Sequence, residues 1–468
     1  MGTIMIWLSF LSYLLLGPVT GLDLDTTSQD SVCDAATLII DGIMDYYEGI
    51  RYGGTVGMFQ APYYWWLAGE VFGGMIDTWY FCENDTYETI IYDALLAQIG
   101  HDKDYMPSNQ TATEGNDDQA FWGLAALQAA ERNFTNPSGE YEDVSWMGLA
   151  QAVYNTMWAR WDTSNCGGGL RWQIFTWNTG YDYKNSVSNA GLFNIAARIA
   201  RYTSNDSYAE TAETVYNWLR DVNFITLEGD GYQVFDGAKI GTDNCSTLSK
   251  SEWTYNYGLL IGGCAYMYNY TEDESWLTEV GRFYEGISAI FLNNSIIYER
   301  QCQESGTCNN DQRSFKSVFS RMLGATAKLV PDYHDKIMDI ITASAQGAAS
   351  SCSGGSDGHT CGMNWAYGGW DGWYGLGEQI SALEVMQNLL IDQHDAPYSY
   401  YGGQRTNDTS STRGGGSSSI DDEAGTDADD DSLNANAMKI NSKDRVGAGI
   451  ITGIVLAIVI ALTVWMLV

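Results

Sequence analysis

Basic residues and histidine are scarce in this chain, and each scarcity excludes something. Only 23 Lys and Arg stand against 59 Asp and Glu in 468 residues, a formal net charge of -36. No long basic cluster exists to release counterions from a phosphate backbone, so nucleic acid is excluded as a partner. The four His are scattered, and neither Cys-x-x-Cys nor His-x-x-x-His spacing occurs, so no metal site is expected. Alternating Val/Ile-rich runs are missing too, which leaves nothing to build a main sheet.

What is present in quantity is apolar and aromatic. Hydrophobic residues make up 45% of the chain, enough for a sizeable core. The 17 Trp and 31 Tyr pair an apolar face with a polar edge, which suits flat-faced, hydroxylated ligands such as sugars.

Both ends carry targeting signals. Ile4 to Leu16 is uncharged and as long as a signal-peptide core, with the small residues Gly17, Thr20 and Gly21 after it, although it lacks a basic flank. Residues 1–21 are therefore expected to be a signal peptide. Val446 to Val468 is apolar and uncharged, long enough to cross a bilayer. Upstream lie the small residues Asn434, Ala435 and Asn436, then a polar spacer through Lys439, Lys443 and Arg445, the order of a glycolipid (GPI) anchor signal. This predicts attachment at Asn434 and removal of 435–468; an ordinary single-span helix is the alternative. The expected destination is the secretory pathway and the cell surface, at the plasma membrane.

Eight Asn-x-Ser/Thr acceptors, at Asn84, Asn109, Asn133, Asn205, Asn244, Asn269, Asn293 and Asn407, agree with export. Nine Cys in an exported chain should mostly pair. Cys302 with Cys308 and Cys352 with Cys361 are near enough to close small loops, and Cys264, in the apolar stretch Leu259 to Tyr268, is the expected free thiol.

Helical periodicity dominates from Leu22 to about Pro397. Twelve stretches show it, at 33–52, 63–81, 84–100, 117–133, 141–161, 186–203, 206–221, 252–270, 273–289, 312–330, 332–350 and 376–392. With no sheet available, helix must pack on helix. Twelve helices in pairs predict one all-α domain over 22–395, a toroid of six hairpins with a crevice where the long loops meet. Gly402 to Ser419 is rich in Gly, Ser and Thr, and Asp421 to Asp431 holds seven acids in eleven residues. The stretch 396–434 therefore reads as a disordered, solvated stalk without chemistry.

Chemistry concentrates at Glu114-Gly115-Asn116-Asp117-Asp118-Gln119-Ala120-Phe121-Trp122, where two adjacent carboxylates open a helix. Close like charges resist joint ionisation while a helix N-terminus favours an anion, so one acid can stay ionised and the other protonated. A retaining glycosidase needs that division between nucleophile and acid/base. Plain helix capping explains the same residues, and from this motif alone it is the favoured reading. Gly354-Gly355-Ser356-Asp357-Gly358 has the spacing of a serine-hydrolase elbow but sits in a Gly/Ser loop between two Cys, so that activity is set aside. The aromatic groups Tyr63 to Trp66, Trp172 to Trp177 and Trp365 to Tyr374 either line a cleft or fill the core.

Five motifs then occur in order: Asn116-Asp117-Asp118-Gln119-Ala120, Gly167-Gly168-Gly169-Leu170-Arg171-Trp172, Lys184-Asn185-Ser186-Val187-Ser188-Asn189, Thr254-Tyr255-Asn256-Tyr257-Gly258 and Gly375-Leu376-Gly377-Glu378-Gln379. On these the chain resembles glycoside hydrolase family 76, the endo-α-1,6-mannanases, most closely its GPI-anchored fungal cell-wall members of the Dfg/Dcw type, from about Cys33 to Leu390. The resemblance implies an (α/α)6 barrel and a retaining mechanism on α-1,6-linked mannose that requires no cofactor. Asp117 is then the nucleophile and Asp118 the acid/base. Trp122, Trp172, Asn185, Asn189, Tyr255 and Asn256 become the substrate contacts, with loop bracing the other role open to the Asn and Tyr residues. It further implies transfer of the mannose-bearing glycan of a GPI protein onto a β-glucan acceptor in cell-wall biogenesis. A wall-binding scaffold without turnover is the competing class; both carboxylates are present, which favours the enzyme. A monomer is expected.

Overall fold

The computed structural model describes residues 21–400 apart from Thr242, residues 415–426, and Thr452. The expected signal run, Asn407, the attachment site Asn434 and, except for Thr452, the segment 435–468 lie outside the described residues. Among the described residues no helix is long and apolar enough to cross a membrane.

Twelve α-helices follow one another: α1 (Gln29–Met44), α2 (Trp65–Phe81), α3 (Glu88–Ala97), α4 (Asn116–Glu131), α5 (Trp146–Ala159), α6 (Ser186–Thr203), α7 (Asp206–Asp221), α8 (Thr254–Thr271), α9 (Glu274–Ile290), α10 (Phe315–Leu329), α11 (His334–Ser351) and α12 (Leu376–Gln387). All twelve predicted stretches are found. The first ends earlier than its periodicity suggests, because the chain after Met44 turns back: Gln60 N donates to Tyr46 O and Glu48 N to Met58 O.

Burial divides the helices into two rings. On α7 the period shows directly, with Tyr208, Ala212, Val215 and Leu219 buried, while Glu210 and Glu213 face water. The even-numbered helices are buried nearly all round; every residue of α6 and α12 is buried. These inner helices touch in the order α2, α4, α6, α8, α10, α12, and α12 closes against α2. The molecule is an (α/α)6 barrel, with the odd helices as the outer ring.

An all-buried helix must satisfy its polar groups against its neighbours. Arg321 of α10 reaches Glu70 of α2 at 3.0 Å and Glu384 of α12 at 2.6 Å. Arg198 of α6 pairs with Glu131 of α4 at 2.9 Å, and Arg132, capping α4, with Asp77 of α2 at 2.6 Å.

The strands are short and lie in the loops. They are β1 (Tyr183–Asn185), β2 (Ile225–Glu228), β3 (Gly231–Val234), β4 (Gly237–Lys239), β5 (Leu248–Ser249), β6 (Leu292–Asn293) and β7 (Ile296–Ile297). β4 joins β1 and β5 in one antiparallel sheet, with Asn185 opposite Gly237. Disulfides Cys302–Cys308 and Cys352–Cys361 form as expected, Cys33–Cys82 and Cys166–Cys245 complete the set, and Cys264 is the buried free thiol.

The stalk expectation needs correction in part. Residues 415–426 form a strap along the outside of α5. Ser418 Oγ accepts from Met147 N at 2.8 Å, Asp421 N donates to Gln151 Oε1 at 2.8 Å, and Asn155 Nδ2 donates to Ala424 O at 2.9 Å. Asp422 Oδ1 accepts from both Gln151 Nε2 and the Tyr208 hydroxyl. Composition failed here because the segment is held by polar partners on the barrel and needs no apolar core of its own.

Candidate active site

Inner helices present their N-termini to one face, and a cleft with a volume of about 600 Å³ lies there. Trp65 and Trp66 start α2, Asp117 and Asp118 start α4, Asn185 caps α6, Tyr255 starts α8 and Phe315 starts α10; all of them line it. Every residue of α4 is buried except Asp117 and Asp118. The only polar outlet of that helix is the carboxylate pair.

Both readings of the pair hold at once. Asp118 Oδ2 accepts from Gly115 N at 2.6 Å, which makes it a helix cap. Gly115 has no side chain to return the bond, so only this half of a capping box exists. The absence of that side chain matters, since a Cβ on Gly115 would lie 2.3 Å from Asp117 Oδ1 and 2.9 Å from Trp172 O. Asp117 Oδ1 is buried without a hydrogen-bond partner, while Oδ2 accepts the Trp172 indole N–H at 3.0 Å.

Trp172 is held by bonds from two sides. Asn116 N donates to Trp172 O at 2.8 Å, Asn116 Nδ2 to Arg171 O at 2.8 Å, and Arg160 Nε to Asn116 Oδ1 at 2.8 Å. Behind it, the glycine run folds tightly against Trp218: Gly169 has φ +95°, and a Cβ there would meet the Trp218 ring at 2.2 Å. Lys184 Nζ closes the same loop by donating to the carbonyls of Asp162, Asn165 and Gly168.

Both carboxyls hold their protons more tightly than an ordinary aspartate. Burial pushes Asp117 up to about 7, opposed by the amides of its own helix and by the Trp172 N–H. Burial and then the charge of Asp117 hold Asp118 well above the usual carboxylate range. Two adjacent charges oppose each other, so the pair resists joint ionisation.

Three further carboxyls line the cleft, none of them assigned a site role from local spacing. Asp311, which accepts from the Trp66 indole at 3.2 Å, adds to the push on both aspartates. Asp236, just before β4, accepts the Tyr183 hydroxyl at 2.6 Å and the Trp253 indole at 3.1 Å. Glu114 is buried with both carboxyl oxygens unpartnered, and burial and the neighbouring Asp118 and Asp104 hold it well above its usual value. Strands as short as β4 carry no period to reveal Asp236, and Asp311 arrives from a loop far along the chain.

Of the expected contacts, Trp172, Asn185 and Tyr255 line the cleft. Trp122, Asn189 and Asn256 do not, which corrects the expectation for them as direct contacts. Trp122 is fully buried, stacked between Trp65 and Tyr105 at 5.2 and 5.4 Å. Asn189 is fully buried and bonds both the N–H and the C=O of Leu170, bracing the glycine loop. Asn256 is also fully buried. Of the aromatic groups, Trp365 fills the core under Lys316, whereas Tyr64 and Trp172 reach the cleft. Among the described residues no cluster of His, Cys, Asp and Glu has a metal-binding arrangement.

Known proteins share this sequence and architecture. The chain is 54% identical to the mannan endo-1,6-alpha-mannosidase DFG5 of Saccharomyces cerevisiae, covering 95% of this chain and 94% of that one. It is 51% identical to the protein of the same name from Candida albicans, covering 98% of each. The crystal structure of Dfg5 from Chaetomium thermophilum in complex with glucosamine superposes with a TM-score of 0.80 at 33% identity, covering 88% of this chain and 99% of that one. Residues 31–400 match the glycosyl hydrolase family 76 model, and the chain belongs to that family.

Proposed function

We propose that the protein is a retaining glycosidase acting on α-1,6-linked mannose, with Asp117 as nucleophile and Asp118 as acid/base. The observation that carries this is the exposure pattern of α4, whose two carboxylates alone emerge, into an aromatic-walled cleft. The names of the relatives supply the substrate class.

Asp118 donates its proton to the glycosidic oxygen as Asp117 Oδ2 bonds to the anomeric carbon and the leaving sugar departs with the bonding pair. An incoming hydroxyl then attacks that carbon, Asp118 takes its proton and Asp117 is released as carboxylate. When the hydroxyl belongs to water the outcome is hydrolysis; when it belongs to a sugar the outcome is transfer. The cleft is lined by Trp66, Trp172, Tyr183, Tyr255 and Phe315, aromatic faces on which sugar rings can stack. We take transfer onto a β-glucan acceptor, with a GPI-linked mannose glycan as donor, as the role in cell-wall biogenesis. Trp172, Asn185 and Tyr255 are the contacts we assign to the substrate. The protein acts as a monomer, exported, GPI-anchored at the cell surface and glycosylated; each of the seven described acceptor Asn is at least partly exposed.

Incubation with an α-1,6-mannan oligosaccharide, with and without a β-glucan oligosaccharide, tests this. Products that keep the α configuration, and mixed products when acceptor is present, are expected. Inversion, or no cleavage, overturns the reading.

A further inference from the structure

We infer that the N-glycan carried by Asn109 lies in an aromatic-lined hollow beside the α3–α4 loop, where its core sugars brace the wall of the catalytic cleft from outside. The inference rests on the reading of the chain as exported and glycosylated.

The hollow has a volume of about 650 Å³, within the range of about 300–1,000 Å³ that encloses small ligands. Its glycan acceptor and its aromatic platform come from different loops. Asn109, in the sequence Asn109-Gln110-Thr111, is exposed and lines it. Phe175 and Trp177, on the α5–α6 loop, line it as a stacked pair with ring centroids 4.9 Å apart. Trp177 is 43% exposed and does not line the catalytic cleft, so a sugar bound in the cleft leaves it in water. A pyranose sets its C–H face on such a ring and turns its hydroxyls to the side. Asp104, buried with Oδ1 unpartnered, and the Arg160 guanidinium also line the hollow, an acceptor and a donor for those hydroxyls.

Attachment makes weak contacts sufficient. A ligand held by a short flexible tether meets its site at an effective concentration on the order of mM, so stacking too weak to retain a free disaccharide retains one fixed to Asn109. The hollow and the cleft share a partition. Along the α3–α4 loop Asn109 and Thr111 line the hollow, whereas Gln110 and Ala112 line the cleft. On the α5–α6 loop Phe175 and Trp177 line the hollow, whereas Asn178 and Thr179 line the cleft. Asn178 Nδ2 donates to Thr111 O at 3.4 Å and ties the two loops together. A glycan rooted on one loop and stacked on the other closes the same seam from its outer side, and so steadies the stretch that leads into Glu114 and the catalytic pair.

The test uses the full chain secreted by a eukaryotic host that adds high-mannose glycans, digested with endoglycosidase H and followed site by site by glycopeptide mass spectrometry. Release at Asn109 is expected to be several-fold slower from native than from denatured protein, with little change at Asn293, which is exposed on the β6–β7 hairpin. Trp177→Ala is expected to raise native release at Asn109 to the denatured rate, whereas Trp177→Phe, which keeps a ring, stays slow. An unmodified Asn109 overturns both this inference and the glycosylation reading at that site. A modified Asn109 released equally fast from native and denatured protein overturns the inference and leaves glycosylation intact. Slow release that Trp177→Ala does not change marks plain steric shielding and also overturns it. Slowing that appears only when an α-1,6-mannan oligosaccharide is added assigns the hollow to substrate, with the same result.

Discussion

The indole N–H of Trp172 donates to Oδ2 of Asp117 at 3.0 Å, joining residues 55 apart in sequence across the mouth of the cleft. The bond favours the ionised form of Asp117, the form the proposed mechanism requires of a nucleophile.

Trp172→Phe keeps the ring and removes the donor. A hydrogen bond to a charged group contributes about 1.5–3 kcal/mol, so kcat/KM is expected to fall about 10- to 100-fold. Without the donor, Asp117 ionises at still higher pH, so the acidic limb of the pH profile moves upward and the loss is greatest below the limb set by its value of about 7. A pH–rate profile of the two proteins checks this, and an unshifted acidic limb contradicts it.

The two aspartates should be separable by chemical rescue. Asp117→Asn and Asp118→Asn are each expected to lose at least ~100-fold in activity with the fold intact by circular dichroism. With azide and an activated α-mannoside, Asp118→Ala should yield the α-azide, because azide meets the covalent intermediate. Asp117→Ala should yield the β-azide by single displacement. Exchanged products would exchange the roles.

Glu114 predicts a pH-dependent stability. Its folded value lies well above the ordinary 4.5, so above about pH 4.5 the unfolded chain releases a proton that the folded chain retains. Folded protein then binds more protons than unfolded, and the stability contributed by this group falls as pH rises. Glu114→Gln removes that loss. Its melting temperature is expected to exceed that of the wild type at pH 7 and to equal it near pH 4; a difference of the same size at both pH values would refute the account.

Inside the ring, Arg321 is the cation paired with both Glu70 and Glu384. Arg321→Met leaves both acids buried without their cation, and a loss of about 3–5 kcal/mol is expected from denaturant unfolding. The triple variant with Glu70→Gln and Glu384→Gln should recover most of it, and a triple variant as unstable as the single one would show that packing, not charge, is at stake.

Legibility followed range. All twelve helices were readable because each needs only its own period, and Asp117 with Asp118 was readable because adjacent acids at a helix start are a local pattern. The motifs around them placed too many residues in contact with substrate. Trp122 lies one helical turn beyond Asp118, and Asn189 one turn beyond Asn185. One turn is about 5.4 Å, enough to pass from the cleft floor into the core. Asp236, Asp311 and the strap depend on partners far away in sequence, which no local spacing announces. Glu114 stood in the quoted segment, yet nothing in its neighbours marked it as buried without a partner.

Closure of the inner ring has a consequence for biosynthesis. Tyr63 accepts from the backbone of Leu376 and Glu70 meets Arg321, links that span 313 and 251 residues. Pairings over such sequence distance form late, because their loop entropy must be met before any contact compensates it. During synthesis Asp117 and Asp118 emerge well before Asp311, Phe315 and α12, so a nascent chain holds the two acids without an enclosing wall. Completion of the substrate cleft is thereby tied to arrival of the final helix, and a truncated product would have no assembled cleft.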